Sequence, residues 1–356
     1  MKAQVGAWEK DRQELHCILP LSTPLLLEFH PTHICNFRCN YCIQSSEKGF
    51  AGGKPFQREH MKWEVFELLV NQLKAFPEQI KMVSCAGMGE PLMHPRIVDM
   101  VRLFKQSGAV KKVQIITNAS LLTHDLARSL LDAGLDQLKV SLQGIDTEMY
   151  QKVAKSKVDW NTIYDSIRHF SEIKGDCKLS VKIGDSALRD GEETRFYDLF
   201  GDICDAVGIE HIYNMWSVNG VNVADSLKDS SQTVWGLEPR EIRVCRQRFT
   251  TFDVLPDGTF CLGGCHRRFG FEHNIQEVPV AEQWNSSGAN KVRCDMLVNG
   301  RQGDALCRIC EGGSQNWHPE DLLEGHEQEI LDRMYTRGLI SEEDHFAGTS
   351  KNSASS

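Results

Sequence analysis

From residue 24 to 216, short apolar runs alternate with stretches whose apolar residues recur every three or four positions. The runs LLLEFHP (directly after Pro24), KMVSCAG (81–87), VQIITN (113–118), QLKVSLQ (137–143), KLSVKIG (178–184) and EHIYNMW (210–216) predict strands, each apolar enough to be buried on both faces. Between them MKWEVFELLVNQLKAF, PRIVDMVRLFKQSG, HDLARSLLDAG, TEMYQKVAK with TIYDSIRHFSEIKG, and GEETRFYDLFGDICDAVG predict helices. Gly108, Gly134, Gly175 and Gly208 stand where a helix ends in a cap. Six strand–helix units in series imply a parallel sheet, so the fold class is α/β, either a right-handed barrel or an open sheet.

Beyond residue 220 the rhythm changes. Residues 217–240 are polar and read as a linker, and FDVLPDGTFCL predicts a hairpin about Asp257–Gly258. Residues 320–338 predict a charged amphipathic helix, and GTSKNSASS is a low-complexity tail expected to be disordered. The organisation expected is an N-terminal extension (1–23), the α/β unit (24–216), the linker (217–240), a smaller module (241–319), a C-terminal helix (320–340) and the tail (341–356).

Charge and hydropathy narrow the function classes. A formal net charge of −9 does not suit a protein that grips phosphate backbones, which sets nucleic acid aside as a partner. The mean hydropathy is −0.36, and the chain has no apolar run approaching the ~18 residues of a spanning helix. The segment MKAQVGAWEKDRQELHC lacks the basic-then-apolar order of a secretory signal, so a cytoplasmic location without a membrane partner is expected. The 13 cysteines matter most. An odd number in such a chain argues against a disulfide framework and leaves reduced thiols for metals or catalysis.

Cys35-Asn-Phe-Arg-Cys39-Asn-Tyr-Cys42 follows the first predicted strand, where a barrel presents its functional loops. Three thiolates in this run can hold three irons of a cubane and leave the fourth open. A zinc site would want a fourth protein ligand, and His30 and His33 sit on the strand-end side. CNFRCNYC resembles the CxxxCxxC signature of the radical S-adenosylmethionine (AdoMet) family, down to Tyr41 before the last cysteine, where that family lets the ring touch the adenine. The run Ala86-Gly-Met-Gly-Glu-Pro91 is similar to the family's GGE motif. There Gly87 and Gly89 permit close backbone approach, and Glu90 is the acceptor for the methionine amino group. Asn118, Ser141 and Gln143, at the ends of the third and fourth strands, stand where the family places polar contacts to ribose and carboxylate. The resemblance covers roughly residues 24–216 and implies a partial (β/α)6 TIM-type barrel.

Cys245, Cys261, Cys265, Cys307 and Cys310 form a second group, the last two as a CxxC. Their spacing resembles the twitch or SPASM auxiliary domain, in which four cysteines and a hairpin hold one further [4Fe–4S] cluster. The family puts its second cysteine five residues after the hairpin glycine; that position is Gly263, with Cys261 and Cys265 two residues to either side. One of these two is therefore a ligand and the other a spare thiol, either inert or a hydrogen-atom donor as in the family's epimerases. Zinc at the CxxC is the competing reading. Cys17, Cys85, Cys177, Cys204 and Cys294 lack ligand spacing, and most of them are expected to act as small buried hydrophobes. Cys85 is placed on a strand, Cys204 on a helix face, and Trp216 in the core.

The resemblance implies reductive cleavage of AdoMet, a 5′-deoxyadenosyl radical, and hydrogen abstraction from a substrate carbon. A flavodoxin- or ferredoxin-type donor is the implied protein partner. Only 34 residues precede Cys35, which leaves no room for the leader-peptide domain of many peptide-modifying relatives. The expected substrate is accordingly a small molecule (a sugar, cyclitol or aminoglycoside to be oxidised or epimerised), with peptide maturation as the alternative. A non-catalytic iron–sulfur or zinc protein is the reading from another class.

Overall fold

The computed structural model describes residues 2–6, 12–45, 57–213, 233–234, 236–263 and 272–345. Ten strands form one sheet: β1 (Gln4–Val5), β2 (Leu26–Phe29), β3 (Ile80–Cys85), β4 (Val110–Thr117), β5 (Gln137–Leu142), β6 (Lys178–Gly184), β7 (Ala206–Glu210), β8 (Thr251–Val254), β9 (Thr259–Leu262) and β10 (Glu272–Asn274). Their order is β1-β7-β6-β5-β4-β3-β2-β8-β9-β10. Every pairing from β1 through β8 is parallel, and β8–β9 and β9–β10 are antiparallel. The six predicted strands are β2 to β7, wound as consecutive neighbours as a partial barrel requires, and the hairpin forms at its predicted place.

Alternation within the strands builds both layers. Leu27, Phe29, Val83, Val113, Ile115, Leu138, Val140 and Val181 are buried in the apolar core. Phe29, Phe66 and Phe104 pack there with ring centroids 5.0–5.5 Å apart. The intervening residues Glu28, Ser84, Gln114, Gln137, Lys139 and Lys182 line an internal cavity instead. The strands are therefore not apolar on both faces, because the concave side of the sheet carries the site.

Two boundaries differ from expectation. The helix Glu193–Phe200 stops short, and β7 begins at Ala206, four residues ahead of the predicted EHIYNMW strand. The carboxylate of Asp205 accepts from the amide of Leu179, pinning this segment against β6 in extended form. Gly208 is consequently a strand residue, whereas Gly108, Gly134 and Gly175 have the positive φ of helix-terminal glycines (69°, 92° and 54°). Cys204 lies buried between helix and strand rather than on a helix face. The C-terminal helix is Glu327–Thr336, preceded by a separate turn at Pro319–Asp321. Trp216, most of the linker and residues 346–356 of the expected tail lie outside the described residues, whereas 342–345 of that tail are helical and His345 meets Asp332.

The C-terminal region has two attachments. Phe252, Val254, Phe260 and the fully buried Trp284 join the barrel's core, and Trp284 Nε1 donates to the carbonyl of Leu21 at 3.0 Å. A second core gathers Leu15, Leu19, Val244, Phe249, Leu297, Leu323, Ile330 and Met334, so the N-terminal segment packs against the C-terminal helix. Arg333 and Arg337 reinforce this by donating to the carbonyls of His16 and Pro20. No helix among the described residues is long and apolar enough to cross a membrane.

Candidate active site

The cysteine loop leaves β2 and is tied down on three sides. The amides of Arg38 and Asn40 donate to the carbonyls of Ala154 and Val153 at 2.9 and 3.0 Å, holding it on the end of the helix Thr147–Ala154. Arg38 Nη1 donates to the carbonyls of Cys35 and Phe37, both at 2.8 Å, closing the loop on itself. Gln44 Nε2 bridges the carbonyls of His33 and Met88, joining this loop to the one after β3.

Cys35, Cys39 and Cys42 all face the cavity, whose volume is about 650 Å³. Burial pushes the Cys35 thiol up to about 12, with further upward contributions from the charges of Glu90 and Cys42. Burial likewise raises Cys39 and Cys42. Three adjacent desolvated thiols hold a negative charge only when a cation compensates it, which is the environment of a metal centre.

Gly87 and Gly89 have a steric reason to be glycine. A Cβ on Gly87, whose φ is +98°, would stand 2.2 Å from His30 Nδ1, and one on Gly89 would stand 2.2 Å from the Thr32 carbonyl oxygen. The close approach they permit is to the cysteine loop itself. Glu90 is 3% exposed, and its carboxylate accepts from Leu92 N at 3.0 Å, Thr117 Oγ1 at 2.6 Å and Asn118 N at 2.8 Å. Burial raises its pKa, and these three donors oppose the rise. The hydroxyl of Tyr41 donates to Gln143 Oε1, Asn118 Nδ2 donates to Asn36 at 3.0 Å, and Ser141 lines the cavity. The predicted residues of the first group thus converge on one chamber.

The second group divides. Cys307 is buried with Phe249 and Met296, and Cys245 packs on the same cluster. Arg248 Nη2 donates to Cys307 Sγ at 3.1 Å, while burial pushes that thiol to about 11. Arg301 holds the CxxC backbone through the carbonyls of Cys307 and Cys310. Cys261 lies elsewhere: it is 2% exposed and packs with Ile43, Met88 and Leu255 beside the first cysteine loop. Cys265 lies outside the described residues. Gly263, two residues before it, stands against Arg248, since a Cβ there would meet Arg248 Cγ at 3.1 Å.

Among the remaining cysteines, Cys85, Cys177, Cys204 and Cys294 are buried and Cys17 is exposed. Two features escaped the sequence analysis. The pairing of β8 with β2 sets Asp253 beside Glu28, and with His30 their ligand atoms lie within 4.8 Å. The polar row Glu28, Ser84, Gln114 and Gln137 runs in register across four strands. Polar residues at every second position of buried strands were the signal for that row. The partner of β2 had none.

Three comparisons place this geometry. A family model described as the radical SAM superfamily matches residues 29–184. A GTP 3′,8-cyclase of Limosilactobacillus fermentum is 30% identical over 164 residues, 45% of this chain and 47% of that protein, so the chain spans about half the length of that relative. Among solved structures, BtrN in complex with AdoMet and 2-DOIA superposes with a TM-score of 0.51 at 18% identity, covering 80% of this chain and 92% of that one. Streptococcus suis SuiB bound to its precursor peptide SuiA gives 0.59 at 16% identity, covering 88% of this chain and 77% of that one. At these identities the two structures show the shared fold.

Proposed function

We propose, from the premise that this chain belongs to the radical SAM superfamily, that it oxidises or epimerises a small polyhydroxylated substrate, a sugar, cyclitol or aminoglycoside. The observation that carries the reading is one chamber of about 650 Å³ with the three thiols, Glu90 and a hydrogen-bonding wall facing into it. That size lies in the range of small-molecule sites. Cys35, Cys39 and Cys42 would hold a [4Fe–4S] cluster, which, given one electron by a flavodoxin- or ferredoxin-type donor, would supply reductive cleavage of AdoMet for hydrogen-atom abstraction from the substrate.

The chain's share is to bind, orient and exclude water. Glu90, desolvated yet ringed by three donors, offers a carboxylate to the amino group of AdoMet. Tyr41, fixed by Gln143, places its ring beside the cluster loop for the adenine. Glu28, Gln114, Gln137 and Lys139 present acceptors and donors suited to substrate hydroxyls.

Cys245, Cys307 and Cys310 would hold an auxiliary [4Fe–4S] cluster, with Cys265 as the candidate fourth ligand; the placement of Cys261 in a different apolar cluster supports that choice. Cys261 is then the spare thiol. It stands opposite Asp253 in the β8–β9 ladder and packs with Ile43 beside the first cysteine loop, so it is either inert or the candidate hydrogen-atom donor. In Cys261→Ala, lost iron would mark a ligand, whereas full iron and normal AdoMet cleavage without product would mark the donor. The likeness to SuiB, solved with a precursor peptide, keeps peptide maturation as the second reading.

The deciding experiment is anaerobic reconstitution followed by assay of 5′-deoxyadenosine, with deuterated sugars and cyclitols in one arm and deuterated peptides in the other. Deuterium arriving in 5′-deoxyadenosine from the first arm is the expected result. Transfer from peptides alone would overturn the substrate assignment, and no 5′-deoxyadenosine at all would overturn the chemistry.

A further inference from the structure

We infer that a groove beside Cys310 docks an acidic one-electron carrier protein, which takes an electron from the auxiliary cluster; this rests on the auxiliary-cluster reading given above. The groove, of about 390 Å³, is lined by Arg240, Arg243, Arg301, Arg308, Ile309 and Cys310 among others. Arg243 is paired with Glu327, and the remaining three arginines against two glutamates, Glu241 and Glu311, leave the groove locally cationic on a chain whose net charge is −9. Arg308 has no carboxylate partner among the described residues, and Arg301 is spent on the backbone carbonyls of Ile242, Cys307 and Cys310. Their charge is therefore available to an anionic surface.

The shape suits a protein better than a small anion. Ile309 is 57% exposed at the groove, an apolar centre within a charged rim, as transient interfaces are built. Cys310 itself lines the groove, so a docked carrier meets the cluster's ligand without intervening chain. The same cysteine also faces inward: Cys310 Sγ and the hydroxyl of Tyr213, a residue of the substrate chamber, lie 3.3 and 3.8 Å from where a Cβ on Gly312 would stand. The auxiliary site thus lies between chamber and groove, an arrangement for passing an electron from substrate to solvent side. With a flavodoxin as carrier the step balances: the reduced cluster loses one electron, and the oxidised flavin gains it with a solvent proton to give the semiquinone.

The test uses reconstituted enzyme reduced with dithionite, freed of excess reductant and mixed with oxidised flavodoxin, while semiquinone formation is followed by stopped flow. In the Arg240→Glu/Arg308→Glu variant the second-order rate is expected to fall about ten-fold at low salt, and the wild-type rate to fall towards it as salt rises. Arg240→Glu alone, outside the CxxC, should show part of the loss, and both variants should bind flavodoxin more weakly by calorimetry. Rates and affinities within two-fold of wild type would overturn the docking site. Failure of the underlying reading looks different: Cys245, Cys307 and Cys310 replaced together by alanine would leave the iron content unchanged.

Discussion

Gly89→Ala probes the contact on which the site depends. The added Cβ would stand 2.2 Å from the carbonyl oxygen of Thr32 and 2.9 Å from that of Ile34, where ordinary contact begins at 3.4 Å. One loop must therefore move by about 1.2 Å (3.4 minus 2.2). The obstruction is backbone, tied by Thr32 Oγ1 to Glu59 O at 3.1 Å and by Glu90 N to Ile34 O at 2.9 Å, so it cannot swing aside as a side chain would. Overpacking of this kind costs about 1–3 kcal/mol, and losing the Glu90–Ile34 bond about 1 kcal/mol more. For a chain of this length the sum corresponds to a melting temperature lower by roughly 3–5 °C. Cys35 follows Ile34 directly, and metal–ligand distances tolerate only about ±0.2 Å, so iron loading should fall with stability. Gly108→Ala is the control: φ is +69° and nothing lies within 4 Å, which leaves only a left-handed penalty of roughly 1–2 kcal/mol and full iron. Differential scanning fluorimetry and iron analysis on both variants decide. If Gly89→Ala melts no lower than Gly108→Ala and keeps its iron, the packing argument is wrong.

Glu90→Gln puts an amide donor among three donors and removes the charge offered to AdoMet; affinity for AdoMet by equilibrium dialysis should fall roughly 10- to 100-fold, at about 1.5–3 kcal/mol for a charged hydrogen bond. Tyr41→Phe loses one hydrogen bond to Gln143 and keeps the ring, so AdoMet binding should weaken less than five-fold, about 1 kcal/mol, in the same assay. Asp146 caps the helix that anchors the cysteine loop, and its hydrogen bond with Arg189 holds its carboxyl below the ordinary 3.8. A depressed carboxyl stabilises the fold above its unfolded value and loses that contribution as pH falls through the folded one. Asp146→Asn keeps a side-chain cap but loses the charge paired with Arg189, so it should melt slightly lower than wild type at neutral pH, and the two melting curves should converge below pH 3.8. A gap that persists in acid would assign the effect to packing.

What was legible in the sequence follows the range of the forces involved. The parallel barrel could be read because strand and helix periods are local, and because Gly108, Gly134 and Gly175 mark ends that only a left-handed residue closes. The cysteine triad could be read because its ligands lie on one short loop. β7 was misplaced because its position depends on Asp205 reaching the amide of Leu179, a contact across 26 residues. The polar wall of the chamber was hidden by the same runs that revealed the strands. Val-Gln-Ile-Ile-Thr and Gln-Leu-Lys-Val-Ser look apolar as a whole, yet Gln114, Gln137 and Lys139 all point inward. Least legible was β8, four residues that lie parallel to β2 although more than 200 positions separate them. Neither strand announces the other, since a parallel edge needs only hydrogen-bonding backbone and a compatible apolar face. That pairing puts Asp253 of the C-terminal region beside Glu28 of the strand that leads into the cysteine loop, and the next pairing sets Cys261 against Asp253. Two residues earlier in the β2–β8 ladder, Thr251 pairs with Leu26 and both line the chamber, so the C-terminal region contributes to its wall through sheet pairing, and a change at β8 should be felt at the first cysteine loop through the ladder itself.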